Sequence, residues 1–415
     1  METTAKKQNY TIPILVMFLL FGMISFVTNL ASPMGDILKN QFNIPNWQGT
    51  LGVFANFIAY AVMGIPAGNL LQKKGYKTTA LIAIAVGFIG VGIQTLSGVA
   101  ESFFIYLIGA FIAGFSMCLL NTVVNPMLNR LGGGGNKGNQ LIQIGGSFNS
   151  LCGTAVIIIT GLLIPSIMDA KISDVFPLMY TALAIFAVAF IVILLTKIPE
   201  NEQQTTTAVK AETGKGPMAF RHFVLGAIAI FIYVGVEVGI PNVLNKWLQN
   251  PELNVLGAGV NAEAIAGSVA ATYWFLMLIG RLIGGIIGSK VSAKSMLSVV
   301  SCIGIILTLL AMFGPSTMVK FPAFNGAHGF GMVSIPLNAA FLVCIGLCTS
   351  VMWGGIFMAL VCGGGILPLL QNAIVDGLGG TGYLPSYWVI VVGLAYILFY
   401  ALVGSKNVNK DIKVD

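Results

Sequence analysis

The segment KIPENEQQTTTAVKAETGKGP (197–217) is the longest polar stretch in an otherwise strongly apolar chain. It is rich in Thr, Gln and Glu and has no apolar periodicity, which is typical of a flexible linker. We therefore take residues 197–219 as a linker that separates an amino-terminal part, 1–196, from a carboxy-terminal part, 220–415.

The composition of these two parts indicates a membrane protein. Of the 415 residues, 56% are hydrophobic and only 8% are charged, and the mean hydropathy is +0.90. A soluble protein carries about 25% charged residues, so most of the surface of this chain must face hydrocarbon. The apolar runs are long and helical, whereas the strands of an outer-membrane barrel alternate between apolar and polar residues, and this excludes a barrel.

Twelve apolar runs are long enough to cross a bilayer as helices, six on each side of the linker. A span needs about 20 apolar residues to cross a hydrocarbon core of about 30 Å. The first run follows Lys6 and Lys7 but lacks the cleavage site of a signal peptide, so we expect it to be a retained helix. The twelve runs are 11–32, 47–71, 77–97, 102–129, 140–166, 175–196, 221–245, 264–288, 295–313, 335–352, 353–375 and 386–404.

The distribution of positive charge sets the orientation of the chain. Of the 21 Lys and Arg residues, only Lys39, Lys171, Lys246 and Lys320 fall in segments that are exterior when the amino terminus is cytoplasmic. Because cytoplasmic loops carry the excess of Lys and Arg, both termini are predicted to be cytoplasmic. The net charge of +7 reflects this excess and gives no reason to expect a nucleic-acid partner.

Several amide side chains lie inside the apolar runs, where they are costly unless they face a cavity or another helix. Asn121 and Asn125 are one helical turn apart, and Gln143 and Asn149 lie on the next run. Amides both donate and accept hydrogen bonds, as the hydroxyl groups of a sugar require. The spacing alone fits two roles equally: the wall of a binding pocket, or hydrogen bonds that tie helices together.

Two charged residues lie inside runs of the carboxy-terminal part. Glu237 is the one carboxylate well inside a run, and it is a candidate to bind a substrate hydroxyl, to carry a proton or to pair with a cation. Arg281 is predicted to be structural, either anchoring an inner gate or extending its guanidinium towards the cytoplasm.

The sequence contains no recognisable catalytic or metal-binding constellation. It has no Walker lysine motif and no Ser/His/Asp set, and its six cysteines fall within the runs without forming a C-x-x-C pair. These absences disfavour an enzyme, a pump, a metal site and a bound cofactor. A membrane sensor is also disfavoured, because the linker is too short to form an output domain.

Six segments, taken together and in order, carry a specific resemblance along nearly the whole chain. They are IPAGNLLQKKGYK (65–77), NTVVNPMLNRLG (121–132), SFNSL (147–151), YVGVEV (233–238), YWFLMLIGR (273–281) and GGGILPLLQ (363–371). The chain resembles the fucose–galactose–glucose:proton symporters of the major facilitator superfamily. This resemblance implies an all-α integral membrane protein with the twelve-helix major facilitator fold, built from two six-helix halves.

The resemblance also implies where a substrate binds. The segment NTVVNP (121–126) coincides with the binding segment of the family. The resemblance therefore favours a role in a pocket wall for Asn121 and Asn125 over hydrogen bonds that tie helices together. The predicted substrate-binding residues are Asn121, Asn125, Gln143, Asn149, Glu237, Trp274, Gln371 and Asn372, with Trp353 as a second aromatic candidate to stack on a sugar. The predicted gating or structural residues are Gly68, Lys73, Lys74, Gly75 and Arg281.

The chain departs from the family at positions linked to proton coupling. Ser32 stands where fucose-type members carry an acid in the first span, and Asp36 replaces that acid only if the helix slips by one turn. Asn121 stands where members carry an acid or a glutamine, and Gly146 stands where a glutamine is expected. We therefore predict either uniport or coupling centred on Glu237, which agrees with the glucose-type pattern.

A second departure concerns the region 334–376, which contains no charged residue and no clear loop between the tenth and eleventh runs. Its length barely holds two spans of about 20 residues. We suspect a deletion there that leaves the tenth and eleventh helices shortened or paired differently.

The function predicted from these features is secondary transport of a monosaccharide, of the hexose or fucose type, across the inner membrane by alternating access. The predicted partners are the sugar, H⁺ or Na⁺ as a coupling ion, and the lipid bilayer, with the chain acting as a monomer. The alternative is a transporter of the same fold for another small solute, such as an amino sugar, a nucleoside or a drug.

Overall fold

The computed structural model describes residues 10–164, 170–199, 220–257, 259–287, 291–325, 329–350 and 361–406. Most of these residues are helical. The helices are α1 (Thr11–Phe42), α2 (Asn46–Gly49), α3 (Leu51–Val99), α4 (Phe103–Leu131), α5 (Gly135–Leu163), α6 (Phe176–Leu195), α7 (Arg221–Gln249), α8 (Ala262–Ile287), α9 (Ala293–Phe313), α10 (Leu337–Thr349), α11 (Gly363–Leu378), α12 (Tyr383–Ser386) and α13 (Trp388–Phe399). Two strands, β1 (Met318–Phe324) and β2 (Phe330–Pro336), lie between α9 and α10.

Within the described ranges, eight helices are long and apolar enough to cross a membrane, or up to nine if the pair bent by 44° near residue 387 forms one span. One of the eight, α3, has 49 residues. At about 1.5 Å per residue it is roughly twice as long as a bilayer core is thick. Its backbone leaves the helical region at Gly75 (φ 78°, ψ 176°), so the second and third predicted runs are joined within α3 by a sharp bend.

The bend in α3 depends on glycine, because a positive φ is unfavourable for residues that have a Cβ. We expect Gly75→Ala to destabilise the protein by about 1–3 kcal/mol, measured as a lower Tm of the purified chain in detergent. Gly68→Ala is the matched control: Gly68 lies in the same helix, and a Cβ there has no neighbour within 4 Å. Equal Tm values for the two variants would contradict a role for the bend.

Close helix packing in both parts relies on small residues. A Cβ at Gly90 would meet the backbone of Ala113, and one at Gly114 would meet the carbonyl of Asn56, so α3 and α4 approach each other closely. In the carboxy-terminal part a Cβ at Gly363 would likewise overlap the carbonyl of Phe231 on α7. Such contacts are typical of helices packed in lipid, where van der Waals fit replaces the hydrophobic effect.

The expectation of an all-α protein is wrong for residues 318–324 and 330–336. There β1 and β2 pair antiparallel, from Met318 opposite Pro336 to Phe324 opposite Phe330. The strands lie between α9 and α10, and the pairing gives their backbone N–H and C=O groups hydrogen-bond partners. The hairpin is attached to α8, because the backbone N–H of Phe324 donates to Ser268 Oγ at 2.8 Å.

The tenth and eleventh runs correspond to short helices. Helix α10 has 13 residues and α11 has 16, both below the length of about 20 that a straight span needs. Residues 351–360, in the middle of the compressed region, lie outside the described residues, as do residues 200–219 of the linker. The division into 1–196, 197–219 and 220–415 stays a prediction.

Candidate functional site

A cavity lies between the amino-terminal and carboxy-terminal parts, and we call it the central cavity. The space free of protein atoms there amounts to about 640 Å³ and includes space open to solvent. Its wall is formed by α1, α3, α4 and α5 from one part and by α7 and α8 from the other. The residues predicted from the sequence that line it are Asn121, Asn149, Glu237, Trp274 and Arg281.

Glu237 and Arg281 form a buried ion pair at this cavity. Arg281 Nη2 lies 3.3 Å from Glu237 Oε1, and the two residues are only 5% and 6% exposed. The other terminal nitrogen, Nη1, donates to Ser150 Oγ at 2.8 Å and to the carbonyl of Gly146. Arg281, on α8, therefore joins α7 to α5 at the cavity wall. This differs from the prediction that its guanidinium extends towards the cytoplasm.

The ion pair leaves hydrogen-bonding capacity for a ligand. Arg281 Nε has no hydrogen-bond partner within the described ranges, although it is buried. A buried donor without a partner is costly, so a ligand hydroxyl that reached it would gain a strong charge-assisted bond.

Asn121 is held at the wall by Tyr60. Its amide nitrogen donates to the hydroxyl of Tyr60 at 3.0 Å and to the carbonyl of Met117 at 3.1 Å. Tyr60 also lines the cavity and stacks on Phe57, with ring centroids 6.0 Å apart. Asn149 lies across the cavity and donates to the carbonyl of Phe21 at 3.1 Å. Each amide nitrogen is thus committed to the protein. The side-chain oxygen of Asn121 accepts one long bond, from Asn125 Nδ2 at 3.5 Å, and keeps a second acceptor position for a ligand.

Four amides of the predicted site do not line the central cavity, and two of them, Asn125 and Gln143, belong to the amino-terminal part. Asn125 turns back along its own helix and donates to the carbonyl of Asn121 at 3.0 Å. Gln143 lies two helical turns before Ser150, where a Cβ at Gly285 of α8 would be 3.8 Å from Gln143 Cβ. Both residues sit on the predicted cytoplasmic side of the cavity. Trp353, the second aromatic candidate, lies outside the described residues.

Gln371 and Asn372 lie on the opposite side, near a group that we call the exterior polar cluster. Asn372 accepts a hydrogen bond from Lys246 Nζ at 3.0 Å and donates to Asn242 Oδ1 at 3.0 Å. Gln371 is fully buried against Gly239, and neither of its side-chain polar atoms has a partner in the described part of the chain. The exterior polar cluster consists of Asp36, Asn46, Thr50, Asn242, Asn245, Lys246, Asn372 and Asp376.

The exterior polar cluster joins the two parts of the chain. Asp36 on α1 accepts from Asn245 on α7 at 3.1 Å, and Asn46 donates to Asp376 at 2.7 Å. Ser32, one turn before Asp36, accepts from Asn242 at 3.2 Å. Asp36 is therefore placed in this cluster and does not line the central cavity.

Four of the five predicted gating or structural residues lie at or near the bend of α3. Lys73 and Lys74 are exposed directly before Gly75, and Gly68 lies two turns earlier. The neighbouring Lys77 links the bend to the end of α6, because its Nζ donates to the carbonyls of Leu194 (2.8 Å) and Thr196 (3.0 Å).

Comparison with known proteins decides the family. The model of the Major Facilitator Superfamily matches residues 14–361. The chain belongs to this superfamily. Among its curated relatives, the glucose/galactose transporter of Brucella abortus is 29% identical over 97% of both chains. The L-fucose-proton symporter of Escherichia coli is 22% identical and covers 91% of this chain and 90% of its own length.

The fold agrees with this membership. A superfamily transporter, FucP, crystallised in the outward conformation, matches the chain with a TM-score of 0.69 at 19% identity, over 96% of this chain and all of that one. The chain is accordingly a multi-pass protein of the inner membrane, and the expectation that it is a transporter rather than an enzyme is confirmed. The predicted fold is confirmed at the level of a mostly helical major facilitator fold.

Several residues of the site were missed from the sequence. Tyr60 gave a weak signal, as a tyrosine inside an apolar run, but nothing indicated that it meets Asn121. Lys246 was counted only as an exterior charge, although it is 4% exposed and central to the exterior polar cluster. Ser150 shares a helix face with Gln143, yet its bond to Arg281 depends on how α5 and α8 pack.

Proposed function

We propose that the chain is a secondary transporter that moves a monosaccharide, of the hexose or fucose type, across the inner membrane by alternating access. The observation that carries this proposal is the central cavity, which lies between the two parts of the chain and combines amides, an ion pair and Trp274. Two relatives of the chain are named as a glucose/galactose transporter and an L-fucose-proton symporter, and these names support a sugar substrate and proton coupling.

Within this proposal the chain has twelve spans, as two six-helix halves with both termini cytoplasmic, and it works as a monomer. Asn121 and Asn149 would accept hydrogen bonds from sugar hydroxyls through their side-chain oxygens. Glu237 would be the coupling carboxylate, since it can take up a proton while Arg281 remains bonded to Gly146 and Ser150. H⁺ is the proposed coupling ion, and Na⁺ is the alternative.

The arrangement of the halves supports alternating access around the central cavity. The exterior polar cluster bonds the halves on the predicted exterior side, so in this conformation the exterior ends of the halves are held together. Opening to the exterior would require that these bonds break, whereas the Glu237–Arg281 pair, which lies within the carboxy-terminal half, can remain.

The proposal is tested by uptake into proteoliposomes with labelled D-glucose, D-galactose, L-fucose, an N-acetylhexosamine and a nucleoside. We expect saturable uptake of at least one of the first three sugars. For that sugar, Asn121→Leu should lower kcat/KM about tenfold, because a hydrogen bond is worth about 1–1.5 kcal/mol and 1.4 kcal/mol is a factor of ten.

The matched control is Thr122→Val, at the next residue of α4, which lies outside the central cavity and whose hydroxyl donates to the carbonyl of Cys118; it should keep uptake near the unmodified level. Saturable uptake of the nucleoside or the N-acetylhexosamine alone would favour another solute on the same fold. Uptake of none of the compounds would overturn the proposal.

A further inference from the structure

A second cavity, which we call the outer cavity, lies next to the central cavity on its predicted exterior side. It encloses about 910 Å³ of atom-free space, including space open to solvent. It is formed by α1, α3 and α5 of one half, by α7 and α8 of the other, and by Phe324 at the end of β1. The two cavities share part of their walls, namely Thr28, Asn29, Phe57, Val238 and Trp274.

One wall of the outer cavity offers polar groups that suit hydroxyls. Asn29 uses its amide nitrogen on the carbonyl and hydroxyl of Ser25, at 2.9 and 3.0 Å, which leaves its oxygen as an acceptor. Asn245 holds Asp36 through its nitrogen, while its buried Oδ1 has no partner within the described residues. Asn242 is fixed between Ser32 and Asn372. The side-chain oxygen of Asn29 and the hydroxyl of Ser32 are thus the groups that can meet a ligand hydroxyl. The lining residues also include the carboxylate Glu263 and no cationic side chain.

The other wall is apolar and partly aromatic. Phe57 and Trp274, at the border with the central cavity, and Phe324 of the hairpin line it together with aliphatic residues of α5. Phe324 and Ser268 both line the cavity, and the backbone N–H of Phe324 donates to Ser268 Oγ. This bond fixes the hairpin as part of the wall. A few placed polar groups opposite apolar and aromatic surface is the usual make-up of a small-molecule site.

We propose that the outer cavity is a second binding subsite for the transported monosaccharide, which the sugar occupies on the exterior side of the central cavity. A pyranose has a hydroxyl edge for Asn29 and Ser32, and apolar faces for Trp274 and Phe324. The shared wall lets one sugar pass between the two cavities without crossing bulk water. This inference rests on the proposed function.

Gly267 provides a way to fill the outer cavity alone. It lines this cavity but not the central one, and the nearest heavy atom to a Cβ built there is Ile157 Cγ2 at 4.0 Å. Gly267→Phe should therefore place a ring in the outer cavity and leave Asn121, Glu237 and Arg281 as they are. The matched control is Gly92→Phe on α3, where a Cβ has no neighbour within 4 Å and which lines neither cavity.

The experiment is equilibrium dialysis of the purified full chain in detergent with radiolabelled D-glucose, D-galactose and L-fucose. We expect two molecules of the transported sugar bound per chain in the unmodified protein and in Gly92→Phe, and one in Gly267→Phe. Asn121→Leu, in the central cavity, should weaken the other of the two sites.

The possible results separate this inference from the proposed function. One molecule bound per unmodified chain, with the same binding in Gly267→Phe, would overturn the second subsite and leave sugar transport intact. Loss of all binding in Gly267→Phe, with Gly92→Phe unaffected, would also overturn it, because the two cavities would then form a single site. Absence of binding and of uptake for all three sugars would overturn both.

Discussion

Glu237→Gln is expected to abolish concentrative uptake while sugar still equilibrates across the membrane. The substitution keeps a hydrogen-bonding side chain beside Arg281 but removes the carboxylate that can take up a proton. Uptake by the unmodified protein should be sensitive to a protonophore, and uptake by Glu237→Gln should be insensitive. The measurement is sugar accumulation in energised proteoliposomes with and without the protonophore.

The control for this experiment is Glu263→Gln, which changes a carboxylate that lines the outer cavity and not the central one. This variant should keep its sensitivity to the protonophore. If uptake by the unmodified protein is sensitive and Glu237→Gln stays equally sensitive, Glu237 is not the coupling carboxylate. If the unmodified protein itself only equilibrates sugar and ignores both the protonophore and a Na⁺ gradient, it is a uniporter.

Variants of Arg281, the ion-pair partner of Glu237, test the contribution of the buried pair to stability. Arg281→Met would leave the Glu237 carboxylate buried without its cation, and breaking one member of a buried pair costs about 3–5 kcal/mol. We expect this variant to be poorly stable, with a Tm in detergent well below that of Glu237→Gln/Arg281→Met. A double variant as unstable as Arg281→Met alone would show that packing, and not the unpaired charge, causes the loss.

Much of the fold follows from the sequence because hydrophobic runs and charge bias are local properties. Runs of about 20 apolar residues predict where helices lie, and Gly75 in a polar stretch marks the turn between two of them. The hairpin of β1 and β2 was not predicted, because its strands fall mostly between two predicted runs and their sequences, MVKFPAF and FGMVSIP, show no regular alternation of apolar and polar residues.

The site was predicted only in part, because periodicity gives the face of a helix and not what that face meets. Asn121 and Asn125 share a face of α4, yet only Asn121 reaches the central cavity, where it meets Tyr60 of α3. The pairing of Glu237 with Arg281 joins residues that are 44 positions apart on two helices. Such contacts depend on helix packing, which local sequence does not encode.

Lys246→Met is expected to open the protein to the exterior. Lys246 is 4% exposed, and its ammonium group donates to Thr50 Oγ1 (2.9 Å), Asn372 Oδ1 (3.0 Å) and the carbonyl of Asn46 (3.2 Å). Asn46 and Thr50 belong to one half, and Lys246 and Asn372 belong to the other. Methionine fills a similar volume but donates no hydrogen bond, so the substitution removes the bonds that join the halves at this point.

The balance between the closed and open states should shift measurably. Hydrogen bonds to a charged group are worth about 1.5–3 kcal/mol each, and burial of the ammonium offsets part of that sum. A net loss of about 1.4 kcal/mol would make the exterior-open state tenfold more populated relative to the closed one. The probe is Ser32→Cys, because Ser32 lines the outer cavity and bonds across the halves to Asn242.

An impermeant thiol reagent applied from outside should therefore label Ser32→Cys about tenfold faster in the Lys246→Met background, after subtraction of labelling in the chain without that cysteine. Lys320→Met is the matched control, since Lys320 is an exposed lysine on β1 of the same predicted face. Equal labelling rates in the two backgrounds would mean that Lys246 does not hold the halves together. If labelling is faster in Lys246→Met and unchanged in Lys320→Met, closure of the exterior side depends on Lys246. The bonds of Asp36 and Asp376 across the halves remain in Lys246→Met, so their loss would not explain the faster labelling.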